Sequence, residues 1–470
     1  MQRVMTRSPL IPPLWAWILQ IRQRIEGQPV LASRVLIAAW CLTRGLLFIG
    51  LLISRSYCDP QFYNYAGKLA SGQWPYTPAV PVEYPPFAMV LILLPALPLL
   101  PFAAVAPRPD PAFAHVTTHL PIPDPVRYGA YGISFAVEML LIDAATLWLV
   151  QRAARRYVPG DSTGLRSGLL YIVLAFLSGA ILQKFELAAG LAVLAALVAL
   201  VSGRYRLSYI LLALATLIKG YPILAIPILV GCQLCQSSRS DLRYALAEQV
   251  RPILEGLMWF AATIGAWTLL VLWFAGGAGV AHSILYHGSR GTEIESLYAN
   301  AILLVGWLPG VHVYTIFNAQ DLSRIVKSSF DHVVDIVSLL LLAVSLVLAY
   351  GAFWRARGRF QSLAGRKPAE SLLQLAGSGM AAILLAFMLS FRALPAHYLL
   401  AIVPIAALVR LPRPGLQRIW LASLVAVAAS GQVMAIPIIW HSLVGLLPAA
   451  VLLLTLRNCA WILVFGILVV

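Results

Sequence analysis

The residues best suited to chemistry lie in short polar segments between long apolar runs. Asp59 stands directly before Pro60, and this pair predicts the start of a short helix with the acid as its N-cap. A carboxylate near the mouth of a membrane helix can also act as a general base toward a hydroxyl group. The residues alone leave both interpretations of Asp59 open.

The segments that must position these residues are strongly apolar. The 470 residues are 60% hydrophobic and 11% charged, with a mean hydropathy of +0.84. Soluble domains carry about 25% charged residues, so a set of water-soluble domains is excluded. The sequence therefore predicts an all-α integral membrane protein that forms a single polytopic domain over 1–470.

Apolar runs of roughly 20 residues, enough to cross a bilayer, recur along the chain. We predict eleven to thirteen transmembrane helices from these segments: 34–54, 86–106, 129–150, 167–182, 187–202, 207–235, 252–277, 298–317, 331–354, 372–391, 396–410, 418–439 and 444–468. The segment 207–235 is interrupted by Gly220 and Pro222, and 396–410 is short. Both are therefore doubtful as complete spans.

The net charge of +16 is gathered in short arginine clusters between apolar runs. This pattern indicates membrane topology and not a nucleic-acid surface. Because loops rich in arginine and lysine face the cytoplasm, the opposite side receives the first outer loop 55–85, the segments 183–187, 219–222 and 391–397, and a second large outer loop 278–297. Strict alternation fails in two intervals, so some pieces are re-entrant or interfacial, or one cluster faces outward.

The first outer loop contains an amphipathic segment. From Asp59 to Ser71, aromatic and apolar residues recur at helical spacing, and Gly72 can end the helix. The segment is too short to span a bilayer. We therefore expect an amphipathic helix that lies in the plane of the membrane interface.

Five motifs occur in order along the chain. They are Asp59 followed by Gly72-x-x-Pro75-Tyr76 and Glu83-Tyr84-Pro85-Pro86; Gln183-Lys184-Phe185-Glu186; Lys219-Gly220-Tyr221-Pro222; Arg290-Gly291-x-Glu293-Ile294-Glu295-Ser296; and Phe391–Pro404 with Pro395, His397 and Tyr398. Together they resemble the bacterial integral-membrane glycosyltransferases of the GT-C superfamily. The resemblance is to the glycosyltransferase 87 family in particular, which contains polyprenyl-phosphate-mannose-dependent mannosyltransferases. The chain departs from the family pattern at Leu394, where serine is expected, and at Glu186, where aspartate is expected.

The resemblance implies a GT-C-like bundle that transfers a sugar, expected to be mannose, from a polyprenyl phosphate donor. The implied acceptor is a glycolipid or another lipid-linked or cell-envelope glycan on the extracytoplasmic face of the bacterial plasma membrane. Asp59 is then the general base, and the configuration at the sugar is inverted. Membrane lipids are the other expected partners, and no nucleic acid is expected.

Neither a cofactor nor a metal is expected. The sequence has no Asp-x-Asp near Asp59 and no His/Cys cluster of the zinc type. Glu83 is the acid most able to change that expectation.

The resemblance also assigns a cradle for the donor phosphate, built from Lys184, Lys219, Arg290, Arg392 and His397. Lys219 lies inside an apolar run, where an isolated cation is expensive, so we favour a functional role for it. Lys184 and Arg290 could instead extend to lipid headgroups, and His397 could be a packing residue. The expected substrate contacts are Tyr63, Tyr76, Glu83, Tyr84, Glu186, Tyr221, Glu293, Glu295 and Tyr398. Glu293 and Glu295 could instead orient Arg290.

Among the ionisable residues inside predicted spans, Arg44, Glu138 and Asp143 stand out. Charges at this depth usually pair with each other. We predict that Arg44 pairs with Glu138 or Asp143 and holds the first and third spans together; a role in proton movement is the alternative.

A transporter or flippase of lipid-linked sugars is the competing function. It would share the apolar bulk, the buried charges and the broken helix near Lys219. Transporters usually carry paired repeats with corresponding helix breaks, and the sequence shows a break at 219–222 without a counterpart. A non-catalytic scaffold for cell-envelope assembly is a third possibility, but it would not need an acid beside a loop furnished with cations.

Overall fold

The protein is a mainly helical, multi-pass membrane protein. A computed structural model describes the chain apart from residues 1–24, 26, 56, 71, 78–79, 103–124, 238–241, 279–280, 284–285, 287–290, 319–322, 364–367 and 435. In the described part, six helices are long and apolar enough to cross a membrane, or seven if one bent pair counts as a single span.

The helices of the first half are α1 (Pro29–Ser54), α2 (Pro60–Ala70), α3 (Pro86–Leu93), α4 (Pro125–Tyr157), α5 (Leu165–Ser178), α6 (Glu186–Val201), α7 (Tyr205–Ile218) and α8 (Ile226–Cys235). Two 3₁₀ segments, Leu94–Phe102 and Tyr221–Ala225, continue α3 and precede α8.

The second half contains α9 (Leu242–Ala275), α10 (Leu297–Val305), β1 (Tyr314–Asn318), β2 (Ser323–Lys327), α11 (Asp331–Leu363), α12 (Pro368–Ser390), α13 (Val403–Ala406), α14 (Pro414–Met434), α15 (Pro437–Val444) and α16 (Pro448–Val469). A third 3₁₀ segment, Ala396–Ala401, lies between α12 and α13.

The long apolar helices are α1, α4, α9, α11, α12 and α16. Helix α12 is the most enclosed of them, because 83% of its most apolar window is buried, whereas only 6% is buried in α9. Helices α3 and α5 to α8 are apolar but shorter. A count of eleven to thirteen spans requires the shorter helices to cross as well, and it stays a prediction.

The predicted span 298–317 is wrong in its second part, where a short hairpin follows α10, although the chain remains mainly helical. Helix α10 ends at Val305, and β1 pairs with β2 as an antiparallel hairpin. Gly306 is the C-cap of α10, and Pro309 and Gly310 lie in the turn between the two elements, where Gly310 adopts φ +83°. The residues that follow are β-branched and aromatic and favour a strand. They are also apolar, and for that reason hydropathy alone placed them in a membrane helix.

The predicted helix break at 219–222 is confirmed. Helix α7 ends at Ile218, Lys219 is extended with φ −143° and ψ 117°, and the 3₁₀ segment begins at Tyr221. The doubtful segment 396–410 also breaks, into a 3₁₀ turn and the four residues of α13. Both breaks leave polar side chains near the ends of short helices.

The predicted intramembrane pair is confirmed for Asp143 and not for Glu138. Arg44 on α1 donates from Nε to Asp143 Oδ2 over 2.8 Å and from Nη2 to Asp143 Oδ1 over 3.0 Å. Trp40 and Tyr171 donate to the same carboxylate. In the described part of the chain neither Glu138 oxygen has a hydrogen-bond partner. The pair joins α1 to α4, as expected.

Candidate active site

Asp59 caps a helix and carries an ion pair at the same time. Its Oδ1 accepts a hydrogen bond from the Gln61 amide over 3.0 Å, which satisfies the first turn of α2. Its Oδ2 lies 2.8 Å from Lys184 Nζ. The Asp59 side chain is 10% exposed. The capping and the chemical interpretations therefore do not exclude each other.

Aromatic packing holds α2 against the bundle. Phe62 is 1% exposed, and its ring centroid lies 5.4 Å from that of Phe135 and 5.3 Å from that of Phe185. Tyr128 on α4 donates a hydrogen bond to the carbonyl of Cys58, the residue before Asp59. The predicted helix in the first outer loop is thus confirmed. Contacts with Tyr128 before its start and with Phe135 and Phe185 in its first turn fix its position.

Glu186 is the centre of the charged groups. It begins α6 and is 2% exposed. Its Oε1 lies 2.8 Å from Lys219 Nζ and 3.6 Å from His397 Nε2. Because Phe185 separates Lys184 from Glu186, one tight turn presents a cation to Asp59 and an anion to Lys219. We call Asp59, Lys184, Glu186, Lys219 and His397 the charged cluster.

Lys219 is enclosed by aromatic rings. Its Nζ lies 4.7 Å from the ring centroid of Phe185, 5.1 Å from that of Tyr84 and 5.8 Å from that of Tyr398. Ammonium groups within about 6 Å of a ring centroid are attracted by its quadrupole. The extended backbone at the break between α7 and the 3₁₀ segment therefore places a 14% exposed ammonium group among these rings and next to Glu186.

Burial acts on the pKa of two members of the charged cluster, with different outcomes. Burial lowers the pKa of His397 to about 3, and the opposing Glu186 carboxylate does not restore it, so the imidazole is neutral at physiological pH. The contact between His397 and Glu186 is therefore not an ion pair. Burial also acts to lower the pKa of Lys184, but the Asp59 and Glu186 carboxylates outweigh it and the net pKa is raised. Lys184 stays an ammonium group.

The aromatic and acidic residues of the first outer loop surround the cluster. Tyr84 packs edge-to-face on Phe185 at 5.2 Å, and Tyr63 packs against Tyr131 at 5.5 Å. Glu83 is 6% exposed and acts electrostatically on Lys184. Tyr76 adopts φ +65° and donates its hydroxyl to the Tyr84 carbonyl over 2.7 Å. The Tyr76 hydroxyl thus shapes the loop.

A second group of ion pairs is built from residues outside the charged cluster. Arg392 Nη2 pairs with Asp335 Oδ1 at 2.7 Å, and Arg457 Nη1 pairs with Glu295 Oε1 at 2.7 Å. The Glu293 amide donates to the Arg392 carbonyl over 2.9 Å. Arg392, Glu293 and Glu295 were predicted to bind donor or substrate, and the structure places them in this second group.

One segment connects the two groups. Arg457 on α16 donates to the carbonyls of Glu295 and Leu394, and Leu394 lies three residues before His397. Tyr398 follows His397, is 8% exposed and packs edge-to-face on its imidazole at 5.3 Å. Arg290 lies outside the described residues.

Sequence reasoning missed Phe185, Asp335 and Arg457. Phe185 stands inside a quoted motif but was assigned no role of its own. Arg457 is an arginine in an otherwise apolar final span, and the rule that intramembrane charges are paired would have selected it. Asp335 had no comparable signal, because acids near a helix start are common.

The arrangement can hold an anion and accept a proton. Segments 55–85, 183–187, 219–222 and 391–397, predicted to share one side of the membrane, meet at one end of the bundle through the charged cluster. Among the described residues, no three His, Cys, Asp or Glu side chains group closely enough to hold a metal ion.

Comparisons with protein-family models, curated proteins and solved structures find no match.

Proposed function

We propose that the protein is a membrane glycosyltransferase of the GT-C type. It moves a sugar, in our proposal mannose, from a polyprenyl phosphate donor to a lipid-linked or cell-envelope glycan acceptor on the extracytoplasmic face of the cell membrane. The observation that carries the proposal is the 2.8 Å pair between Asp59 and Lys184 at the start of α2, next to the half-buried Lys219 and the buried Glu186.

The chemistry needs a base and cations at one place, and distant parts of the chain contribute both. Asp59 comes from the loop after α1, Lys184 from the loop before α6 and Lys219 from the break after α7. Buried or half-buried charges inside an apolar bundle are expensive unless they are paired or functional. Here they are paired, but Lys184 remains 27% exposed and so stays accessible to a ligand.

The proposed step balances as follows. The acceptor O–H bond breaks and its proton passes to Asp59, while the acceptor oxygen forms a bond to the anomeric carbon from the side opposite the phosphate. The bond between that carbon and the phosphate oxygen breaks, and its electron pair leaves with the polyprenyl phosphate. Inversion follows from this geometry. Lys184 and Lys219 stabilise the negative charge that grows on the leaving phosphate.

Lys184 has two possible anionic partners in this reaction. In the structure it pairs with Asp59, whereas a bound donor would offer a phosphate oxygen to the same ammonium group. A lysine side chain is long and flexible and acts as a point charge, so it can move from the carboxylate toward the phosphate. This exchange would leave Asp59 Oδ2 available to the acceptor hydroxyl.

The test is a transfer assay with purified protein in nanodiscs, radiolabelled polyprenyl phosphate mannose and a glycolipid acceptor. We expect transfer by the parent and a loss of about 10²–10⁴-fold in kcat for Asp59→Asn, as for other general bases. The matched control is Asp161→Asn. Asp161 is also an acid at a helix start and accepts from the Ser167 amide over 2.8 Å, but it lies in the loop before α5, outside the charged cluster. A parent without transfer, or a fully active Asp59→Asn, would overturn the proposal.

A transporter or flippase of lipid-linked sugars remains the second candidate. It is favoured by the two helix breaks, at Lys219 and at residues 396–406, because transporters often bind substrate at interrupted helices. In that case Asp59→Asn would leave the movement of labelled lipid-linked sugar across proteoliposomes unchanged, and no glycosidic bond would form in any sample.

A further inference from the structure

Two buried polar atoms at the charged cluster have no hydrogen-bond partner in the described part of the chain. They are Oε2 of Glu186 and Oη of Tyr221. Glu186 is 2% exposed and Tyr221 is 7% exposed, so neither is served by bulk water. A buried polar group without a partner destabilises the folded protein. Two such groups at one site point to a ligand that forms hydrogen bonds with them.

The two side chains lie close together. Lys219 pairs with Glu186 through Oε1, and Tyr221 follows Lys219 by two residues, at the first position of the 3₁₀ segment. The Tyr221 phenol is near enough to interact electrostatically with the Glu186 carboxylate and with Tyr398. Its ring stacks on Phe387 at 5.1 Å, which holds the hydroxyl in place without using it.

The chemistry of the two atoms selects the ligand group. A carboxylate oxygen only accepts hydrogen bonds, whereas a phenol hydroxyl both donates and accepts. A phosphate oxygen would be repelled by the carboxylate. A ligand hydroxyl, in contrast, can donate to Glu186 Oε2 and accept from Tyr221 Oη, so the pair fits a hydroxyl group.

We propose that Glu186 and Tyr221 form a subsite for one hydroxyl of the transferred sugar. The inference rests on the proposed function. Since the other oxygen of Glu186 is bound to Lys219, the proposed phosphate ligand, the hydroxyl belongs to the sugar attached to that phosphate. The subsite then determines which donor sugars are accepted.

Tyr221→Phe tests the subsite with little structural risk, because the removed hydroxyl has no partner among the described residues. We expect an unchanged melting temperature and a roughly tenfold lower kcat/KM for the parent donor, the usual effect of losing one hydrogen bond. The matched control is Tyr209→Phe. The Tyr209 hydroxyl donates to Gln233 Oε1 over 2.8 Å, and neither residue belongs to the charged cluster. Loss of this hydroxyl should therefore lower the melting temperature and leave kcat/KM unchanged.

Monodeoxy donor analogues identify the hydroxyl. One analogue should react at least tenfold more slowly than the full sugar with the parent protein. With Tyr221→Phe the penalty for that analogue should be smaller, because only the hydrogen bond to Glu186 is left to lose and interacting partners give non-additive effects. If Tyr221→Phe treats every donor as the parent does, the subsite is overturned. That outcome is distinct from failure of the glycosyltransferase proposal, in which the parent protein itself transfers no sugar.

Discussion

Two groups of buried charges in this protein differ in how completely they are satisfied. Asp143 is fully buried and accepts hydrogen bonds from Arg44 through both oxygens, and from Trp40 and Tyr171. Glu186 is equally buried but keeps one oxygen without a partner among the described residues. The saturated pair suits a structural role, since nothing remains for a ligand to bind. The unsaturated cluster suits binding.

The largest contrast is expected for the two aspartates. Asp59→Asn should lower kcat for transfer by about 10²–10⁴-fold and leave thermal unfolding nearly unchanged, because asparagine also caps helices. Asp143→Asn should do the reverse, with a lower melting temperature and unchanged kcat per folded molecule. Paired unfolding scans and transfer assays measure both quantities. Equal effects of the two variants on kcat would remove the distinction between the groups.

The next effect concerns the stability of the saturated pair. Arg44→Met leaves Asp143 as a buried charge without its cation, so we expect a loss of about 3–5 kcal/mol in the free energy of unfolding. The double variant Arg44→Met/Asp143→Leu removes both charges and should recover most of that loss. Chemical unfolding in mild detergent gives the comparison. A double variant as unstable as the single one would mean that the pair itself stabilises the bundle.

Lys184→Met should, in contrast, change stability little and transfer strongly. Its ion pair with Asp59 is partly exposed, and such pairs contribute about 1 kcal/mol or less to stability. Transfer should nevertheless fall about ten- to hundredfold, because a cation near the leaving phosphate is lost. Lys68→Met is a suitable control, as Lys68 lies in the last turn of the same amphipathic helix α2. A stability loss like that of Arg44→Met would place Lys184 with the structural charges.

The smallest expected effect is on the pH dependence of stability. Burial lowers the pKa of His397 from 6.5 to about 3, so the unfolded chain binds one more proton than the folded chain between these values. The free energy of unfolding therefore falls as pH drops below 6.5 and is unaffected by His397 above it. Between pH 7 and pH 5.5, the free energy of unfolding of His397→Gln should fall by about 1 kcal/mol less than that of the parent. Identical pH profiles would show that His397 is not buried as described.

Local signals in the sequence were sufficient for several elements. The Asp59-Pro60 pair predicted the start of α2, Gly220 and Pro222 predicted the break after α7, and the cost of intramembrane charge predicted the partner of Arg44. Each of these depends on neighbouring residues or on a rule that holds anywhere in a bilayer. The distribution of arginine and lysine predicted that five outer segments share one side, and four of them meet through the charged cluster.

The remaining features depend on contacts between distant residues. Hydropathy could not separate the end of α10 from the hairpin, since strands and membrane helices use the same apolar residues. The partner of Glu295 lies 162 positions away, at Arg457, and no local pattern connects them. The division of the predicted site residues into two groups therefore emerges only from the fold.

The hydrogen bonds of Arg457 connect the last helix to the segment that carries His397. Its guanidinium group holds the Leu394 and Glu295 carbonyls, so the stretch leading to His397 is positioned from α16. Removal of α16, or a tag whose bulk displaces it, would release that stretch and disturb the neighbours of Glu186 from a distance. Recombinant versions of this protein should therefore keep α16 intact and carry any purification tag on a flexible linker.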